Sequence, residues 1–292
     1  MTAWLTRRQL IGVGALGALF VALFWPTFGW MAERFDAYDS FYSHGWLIPV
    51  ASGWLIWQRR ERVAALASGG SFAGLLLLIP SALVQVIAAA LDIGFVQGFA
   101  MLGVIYGLVW TCLGPAVLWI LRFPLLFLLF MVPLPGVLLI AVSFKMKLAA
   151  AALATAFLNL IGMRAIQAGS TIHVPGVSVI VDDTCSGLRS LISLIALSTL
   201  WTALMPEKSK WWQRGVVVLS SIPIALVANM ARIVIMVLLS AIYGAYIADT
   251  FVHAGSGIVV FGVAVAVLMW LSRAVQRWSW PTFNPRRLPS SS

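Results

Sequence analysis

The stretch from Gly215 to Tyr243 reads GVVVLSSIPIALVANMARIVIMVLLSAIY and contains one charged residue, Arg232. A helix that crosses a bilayer needs about 20 mostly apolar residues, so this stretch is a membrane span. Asn229 and Arg232 lie three apart and share a helical face. An Arg in a span costs about 2.5–3.5 kcal/mol on insertion scales, so it faces a polar cavity or a partner. At 1.5 Å per residue, Arg232 is expected roughly 15 Å inside the outer end near Tyr243. A structural Arg paired with backbone carbonyls is the plain alternative.

The whole chain agrees with this stretch. Its 292 residues are 62% apolar and 10% charged, with a mean hydropathy of +1.00. A soluble domain carries about 25% charged residues. The composition therefore excludes a soluble enzyme, a disordered chain and a disulfide scaffold, and it implies several spans. Apolar runs place them at 9–30, 45–58, 72–91, 94–120, 123–141, 187–205, 215–243 and 254–272. The expected fold is an all-α polytopic membrane protein of about eight spans, forming one membrane domain over residues 1–292. Thr6-Arg7-Arg8-Gln9-Leu10 mimics a twin-arginine export signal. No small-residue cleavage site follows it, and Trp25 and Trp30 extend the run, so a first membrane helix is expected.

The net charge of +10 does not point to nucleic acid, because the basic residues sit in short clusters between apolar runs. Eight spans put both termini on one side, together with Arg59, Arg60, Arg62, Arg122, Lys208, Lys210, Arg214 and the basic tail 273–292. The opposite side receives Arg34, Lys145, Lys147, Arg164 and most of the acids. By the positive-inside rule the basic side is cytoplasmic, and a bacterial inner membrane is the expected setting. The Trp residues cluster near the proposed span ends, as an aromatic belt requires.

Residues 142–165 challenge this parity, because a further crossing there would translocate the basic segments after it. They are read as a helix lying at the outer interface, after a break at Pro133-Leu134-Pro135-Gly136. Thr171–Val174 and Val177–Val181 then flank Pro175-Gly176, which suits a type II turn. A small outer hairpin is expected, delivering the chain to Cys185. There is no internal repeat.

Three segments carry residues that apolar spans should not contain. In Asp183-Thr184-Cys185-Ser186-Gly187-Leu188-Arg189, Cys185 and Arg189 are four apart and are expected to share one face of a helix. A helix N-terminus and Arg189 both favour the Cys185 thiolate, while Asp182 and Asp183 oppose it. The second segment is Ala228-Asn229-Met230-Ala231-Arg232-Ile233, and the third is Val252-His253-Ala254-Gly255-Ser256-Gly257. A nucleophile needs a base within reach and an anion needs a donor; Cys, His and Arg supply these roles. The plain readings are a small buried Cys at a turn and an interfacial His. Tyr42-Ser43-His44-Gly45 opens the second span, where His44 either lines a substrate path or marks a boundary. His173 is expected on a strand face. Cys112 is expected to be packed and inert, and not to pair with Cys185. Neither a metal nor another cofactor is expected, since two Cys and three His show no ligand spacing.

In this order these blocks resemble the exosortase/archaeosortase family of multi-pass membrane cysteine transpeptidases. Tyr42-Ser43-His44-Gly45-Trp46-Leu47-Ile48-Pro49 is similar to its early Ser-His-Gly block, and Pro133-Leu134-Pro135 to its Pro-x-Pro. Cys185-Ser186-Gly187-Leu188-Arg189, Asn229-Met230-Ala231-Arg232 and His253-Ala254-Gly255 resemble its three catalytic blocks. The resemblance covers about residues 40–270 and looks most like bacterial exosortases of the short form, without the C-terminal extension domain. It implies that Cys185 is the nucleophile, Arg232 the anion-stabilising residue and His253 the acid/base. Arg189, Asn229, Ser186 and His44 would support them or bind substrate. It further implies membrane-anchored protein substrates ending in a Pro-Glu-Pro-type motif, a membrane helix and a basic tail. These would pass through a thioester to an acceptor that the sequence does not name. The alternatives from other classes are a non-catalytic transporter or exopolysaccharide assembly protein, and an intramembrane protease that uses water.

Overall fold

The computed structural model describes residues 7–37, 40–67, 69–182, 186–206, 208–244 and 251–278, with the backbone alone at 7–10, 13 and 251–254. The chain divides into two compact units, Met1–Ala141 and Val142–Ser292.

The first unit contains α1 (Arg7–Asp36), α2 (Leu47–Gln58), α3 (Arg60–Leu66), α4 (Leu75–Ala90), α5 (Gly94–Leu113) and α6 (Pro115–Phe127). In a bilayer, packing rather than water exclusion draws helices together, so small residues let backbones approach. A Cβ at Gly107 of α5 would stand 2.7 Å from the Leu78 Cα of α4. A buried polar trio joins three of these helices. Gln85 Nε2 donates to Thr27 Oγ1 and Thr27 Oγ1 donates to Gln97 Oε1, both at 3.0 Å.

Several expected boundaries move. The span expected at 94–120 ends at Leu113: Gly114 adopts φ +87° and Pro115 opens α6, since Pro suits a first helical turn but cannot continue a helix. The span expected at 123–141 is not one helix. A 3-10 turn, Leu128–Met131, closes α6, and a new helix begins at Gly136. Cys112, expected to be packed, is exposed in the last turn of α5.

That new helix, α7 (Gly136–Leu160), replaces the separate interfacial helix expected at 142–165 and is itself long and apolar enough to cross a membrane. The Asn159 side chain closes its end by bonding both the N–H and the C=O of Ala165, each at 2.9 Å. An antiparallel meander follows: β1 (Ile166–Ala168), β2 (Thr171–Val174) and β3 (Val177–Ile180). The β2–β3 hairpin is the expected one. Val174 pairs with Val177 across Pro175-Gly176, and Gly176 takes φ +88°, as the third position of a type II turn requires. β1 was not anticipated.

Three helices complete the second unit: α8 (Leu188–Leu204), α9 (Trp211–Tyr243) and α10 (Phe251–Arg277). Leu194, Val217, Ala225, Ala264 and Leu268 form their shared core. At the basic ends, Trp201 Nε1 donates to Ser272 Oγ and Gln213 Nε2 to the Val275 carbonyl, both at 2.9 Å. Among the described residues, six helical stretches are of full spanning length, and Pro115–Met131 and Leu188–Leu204 are shorter apolar helices. The chain is a polytopic, mostly helical membrane protein with one small sheet among its described residues.

The sheet corrects the expected depth of Arg232. Ile172, Val174, Val179 and Val181 bury one sheet face against Ala150, Ala151, Ala154 and Leu158 of α7 and against Ile233, Val234 and Val237 of α9. An open sheet leaves edge N–H and C=O groups that hydrocarbon cannot satisfy, so the last turns of α9 stand outside the hydrocarbon layer. The helix has 33 residues, about 50 Å, against a layer of about 30 Å. From Trp211 to Arg232 is about 32 Å. Arg232 therefore lies near the membrane boundary rather than 15 Å inside it. In a variant with Cys112 and Cys185 replaced by Ser, Tyr243→Cys is expected to react readily with a water-soluble maleimide and Val227→Cys to resist. Both positions are exposed, so equal reactivity would contradict the extramembrane end of α9.

Candidate functional site

The described part of the turn before α8 begins at Ser186. Ser186 is 1% exposed, and its Oγ accepts from Leu188 N at 3.4 Å. Gly187 caps α8 in the left-handed region, with φ +79°. α8 itself begins at Leu188. Cys185 lies outside the described residues, and with it the expected sharing of a helical face by Cys185 and Arg189. Arg189 stands half-buried in the first turn of α8, whose leading N–H groups point back toward this turn.

Gly187 seats directly on α9. A Cβ there would stand 2.7 Å from Asn229 Cγ and 2.9 Å from its Nδ2. Asn229 is 5% exposed. One turn further on, the half-buried Arg232 reaches toward α10, where a Cβ on Gly257 would lie 3.5 Å from the guanidinium carbon. His253 belongs to α10 one turn before Gly257; its side chain lies outside the described residues. Ser190, Asn229, Arg232 and Gly257, with Leu194 and Phe261, line a cavity of about 20 Å³. That is room for about one water. The three segments singled out in the second half of the sequence therefore meet where α8, α9 and α10 leave the bilayer. From that level α8 and the first 22 residues of α9 each run about 25–33 Å to the Lys208–Arg214 end, and α10 about 30 Å from Gly257 to Arg277.

Two participants were not singled out in the sequence. Ser190 carried no signal beyond being polar inside a span. Gly257 was part of a small-residue run after His253, and its value lies in letting α10 approach the Arg232 guanidinium.

The first unit holds the Ser-His-Gly block. Tyr42 Oη accepts from Leu134 N at 3.2 Å, joining that block to the Pro133–Gly136 turn. His44 stacks on Tyr42, with ring centroids 5.9 Å apart. Gly45 faces the Phe35 ring, which would lie 2.3 Å from a Cβ, and Trp46 Nε1 donates to Asp36 Oδ1 at 2.9 Å. Burial pushes the His44 pKa below its usual value. His173 lies on the exposed sheet face, 2.7 Å from its cross-strand partner Ser178. No group of three or more potential metal ligands occurs among the described residues.

The family model for the transmembrane exosortase (Exosortase_EpsH) matches residues 30–270. The chain belongs to the transmembrane exosortase family. Comparison with curated proteins gives no match, and comparison with solved structures gives none. The matched span includes all five motif blocks of this exosortase, from Tyr42 to Gly255.

Two outcomes follow for the exosortase. Gly187→Ala costs about 1–2 kcal/mol from backbone conformation alone, and its methyl group must displace Asn229. Thermal unfolding of Gly187→Ala, Asn229→Ala and the double variant is expected to give a coupling of about 0.5–3 kcal/mol, since Asn229→Ala removes the obstruction. Strict additivity would mean the two do not touch. For His44, the depressed pKa means that the unfolded chain takes up a proton before the folded chain does. Stability is then full above about pH 6.5 and falls as pH drops through that value. The apparent Tm of the native protein is expected to fall more between pH 7.5 and 5.5 than that of His44→Gln.

Proposed function

We propose that this exosortase is a cysteine transpeptidase that cleaves a C-terminal sorting signal through a thioester on Cys185 and transfers the product to an acceptor. The observation that carries this reading is the meeting of three segments: Gly187, two residues after Cys185, on Asn229, and Gly257, one turn after His253, against Arg232. Family membership supports a peptidase or transpeptidase activity.

In the proposed course His253 takes the Cys185 proton, and the thiolate attacks the scissile carbonyl carbon. Arg232 and the N–H groups at the start of α8 hold the resulting oxyanion. Collapse breaks the C–N bond, His253 passes its proton to the leaving amine, and an acyl thioester remains on Cys185. An incoming amine or water then attacks that thioester and restores the thiol. Asn229 would hold the Gly187 turn at the right height, and Ser186 and Arg189 would complete its surroundings.

The membrane setting supports the substrate class. The site lies about one hydrocarbon thickness from the basic ends of α8, α9 and α10. With those ends in the cytoplasm, it faces the periplasm of a bacterial inner membrane. A substrate with a Pro-Glu-Pro-type motif, one membrane helix and a basic tail obeys the same rule, so its motif would arrive at the same face.

The test is processing of a signal-bearing substrate by full-length protein in membranes. Cys185→Ala and His253→Ala are expected to abolish cleavage, and Arg232→Lys to lower it by about 10²–10³-fold, with helical content unchanged. Processing that survives in Cys185→Ala would overturn the proposal. Mass spectrometry of the product separates transfer, which leaves the new C-terminus joined to an acceptor, from hydrolysis, which leaves it free.

A further inference from the structure

A second assembly of charge lies in the first unit, unconnected with thiol chemistry. α2 and α6 run antiparallel. Ser52 Oγ donates to the Pro124 carbonyl at 2.8 Å and Arg59 Nη1 to the Ile120 carbonyl at 2.9 Å. The second bond fixes the Arg59 guanidinium on α6, two residues from Arg122. Arg122 stands about 10 Å into α6, and its guanidinium reaches back over Trp119, 3.8 Å from the ring centroid. That is how an Arg within an apolar helix brings its charge to the boundary. Arg60 covers Trp57 in the same way at 5.0 Å. Burial, then the charges of Arg62 and Arg122, push the Arg59 pKa below its usual value; Arg62 follows Arg59 by three residues, exposed in the first turn of α3. The acid of α3, Glu61, is ion-paired with Arg60 at 3.5 Å.

We propose that Arg59, Arg62 and Arg122, rimmed by Trp57 and Trp119, hold the headgroup phosphate of an anionic phospholipid. The surroundings favour a lipid over a soluble anion. Trp57 and Trp119 are more than half exposed, and their rings suit the headgroup level. Away from the cluster, Val50 and Trp54 continue the exposed stripe of α2, and Leu126 that of α6. Acyl chains entering from the phosphate would lie along those stripes. Two guanidiniums held in place, Arg59 on the Ile120 carbonyl and Arg122 over Trp119, also suit a phosphate better than scattered lysines would.

The experiment is native mass spectrometry of the full chain in detergent with added phosphatidylglycerol or phosphatidylcholine. The expected result is one phosphatidylglycerol retained in preference to phosphatidylcholine. Arg62→Gln with Arg122→Gln is expected to weaken that retention about thirtyfold, at roughly a factor of five per guanidinium. Both side chains are exposed, and Arg59 keeps its bond to Ile120, so the fold should survive. Arg273→Gln with Arg277→Gln, at the basic end of α10, is the control and should leave retention unchanged. Equal retention of the two lipids, an unaffected Arg62/Arg122 variant, or equal loss in the control would each overturn the proposal. So would displacement by millimolar inorganic phosphate, which would mark a site for a free anion.

Discussion

A β-sheet with open edges has no place in hydrocarbon. That constraint sets the height of everything in the second unit. The meander of β1, β2 and β3 must stand in a polar medium, and it rests its apolar face on the far turns of α9. The helix is thereby divided into a buried length of about one hydrocarbon thickness and an emergent length that props the sheet. Asn229 and Arg232 fall at the division. A guanidinium that would be costly at the bilayer centre is thus held where water and dipoles can reach it.

Within the second unit, the closest approach at a described glycine is that of Gly187 to the Asn229 amide. Gly187 needs the left-handed region to turn the chain into α8, and it needs the absence of a side chain to sit on Asn229. Both needs converge on one residue, so the approach of α8 to α9 is specified twice over. The contact of Gly257 with Arg232 repeats the device toward α10 without demanding unusual backbone. In the first unit, Tyr42 performs a comparable service by tying a segment 92 residues away to its own hydroxyl.

Much of this was legible in the residues, and the failures have local causes. The helical membrane fold followed from composition, and the hairpin from Pro175-Gly176 between two runs of β-branched residues. β1, Ile166-Gln167-Ala168, carries no readable signal because three residues are too few to establish a period, and it gains its partner only after folding. The break at Gly114-Pro115 was overlooked because the apolar run continues through it, although both residues are strong helix punctuation. The depth of Arg232 was misjudged by equating the end of the apolar run with the end of the bilayer. Nothing local marks the difference, because it is the sheet that carries apolar residues out of the membrane. The blocks around Cys185, Asn229 and His253 were readable as anomalies, but the seat of Gly187 on Asn229 joins residues 42 apart and has no local signature.

The emergent end of α9 acts as a collar. A rod with a collar at one end can tilt in its socket, but it cannot sink past the flange. Bilayers of different thickness would be met at the plain end, near Trp211 and Arg214, while the ledge formed by Asn229 and Arg232 keeps its distance from the headgroups on its own side. The protein, and not the lipid around it, gauges how far the pocket stands above the acyl chains.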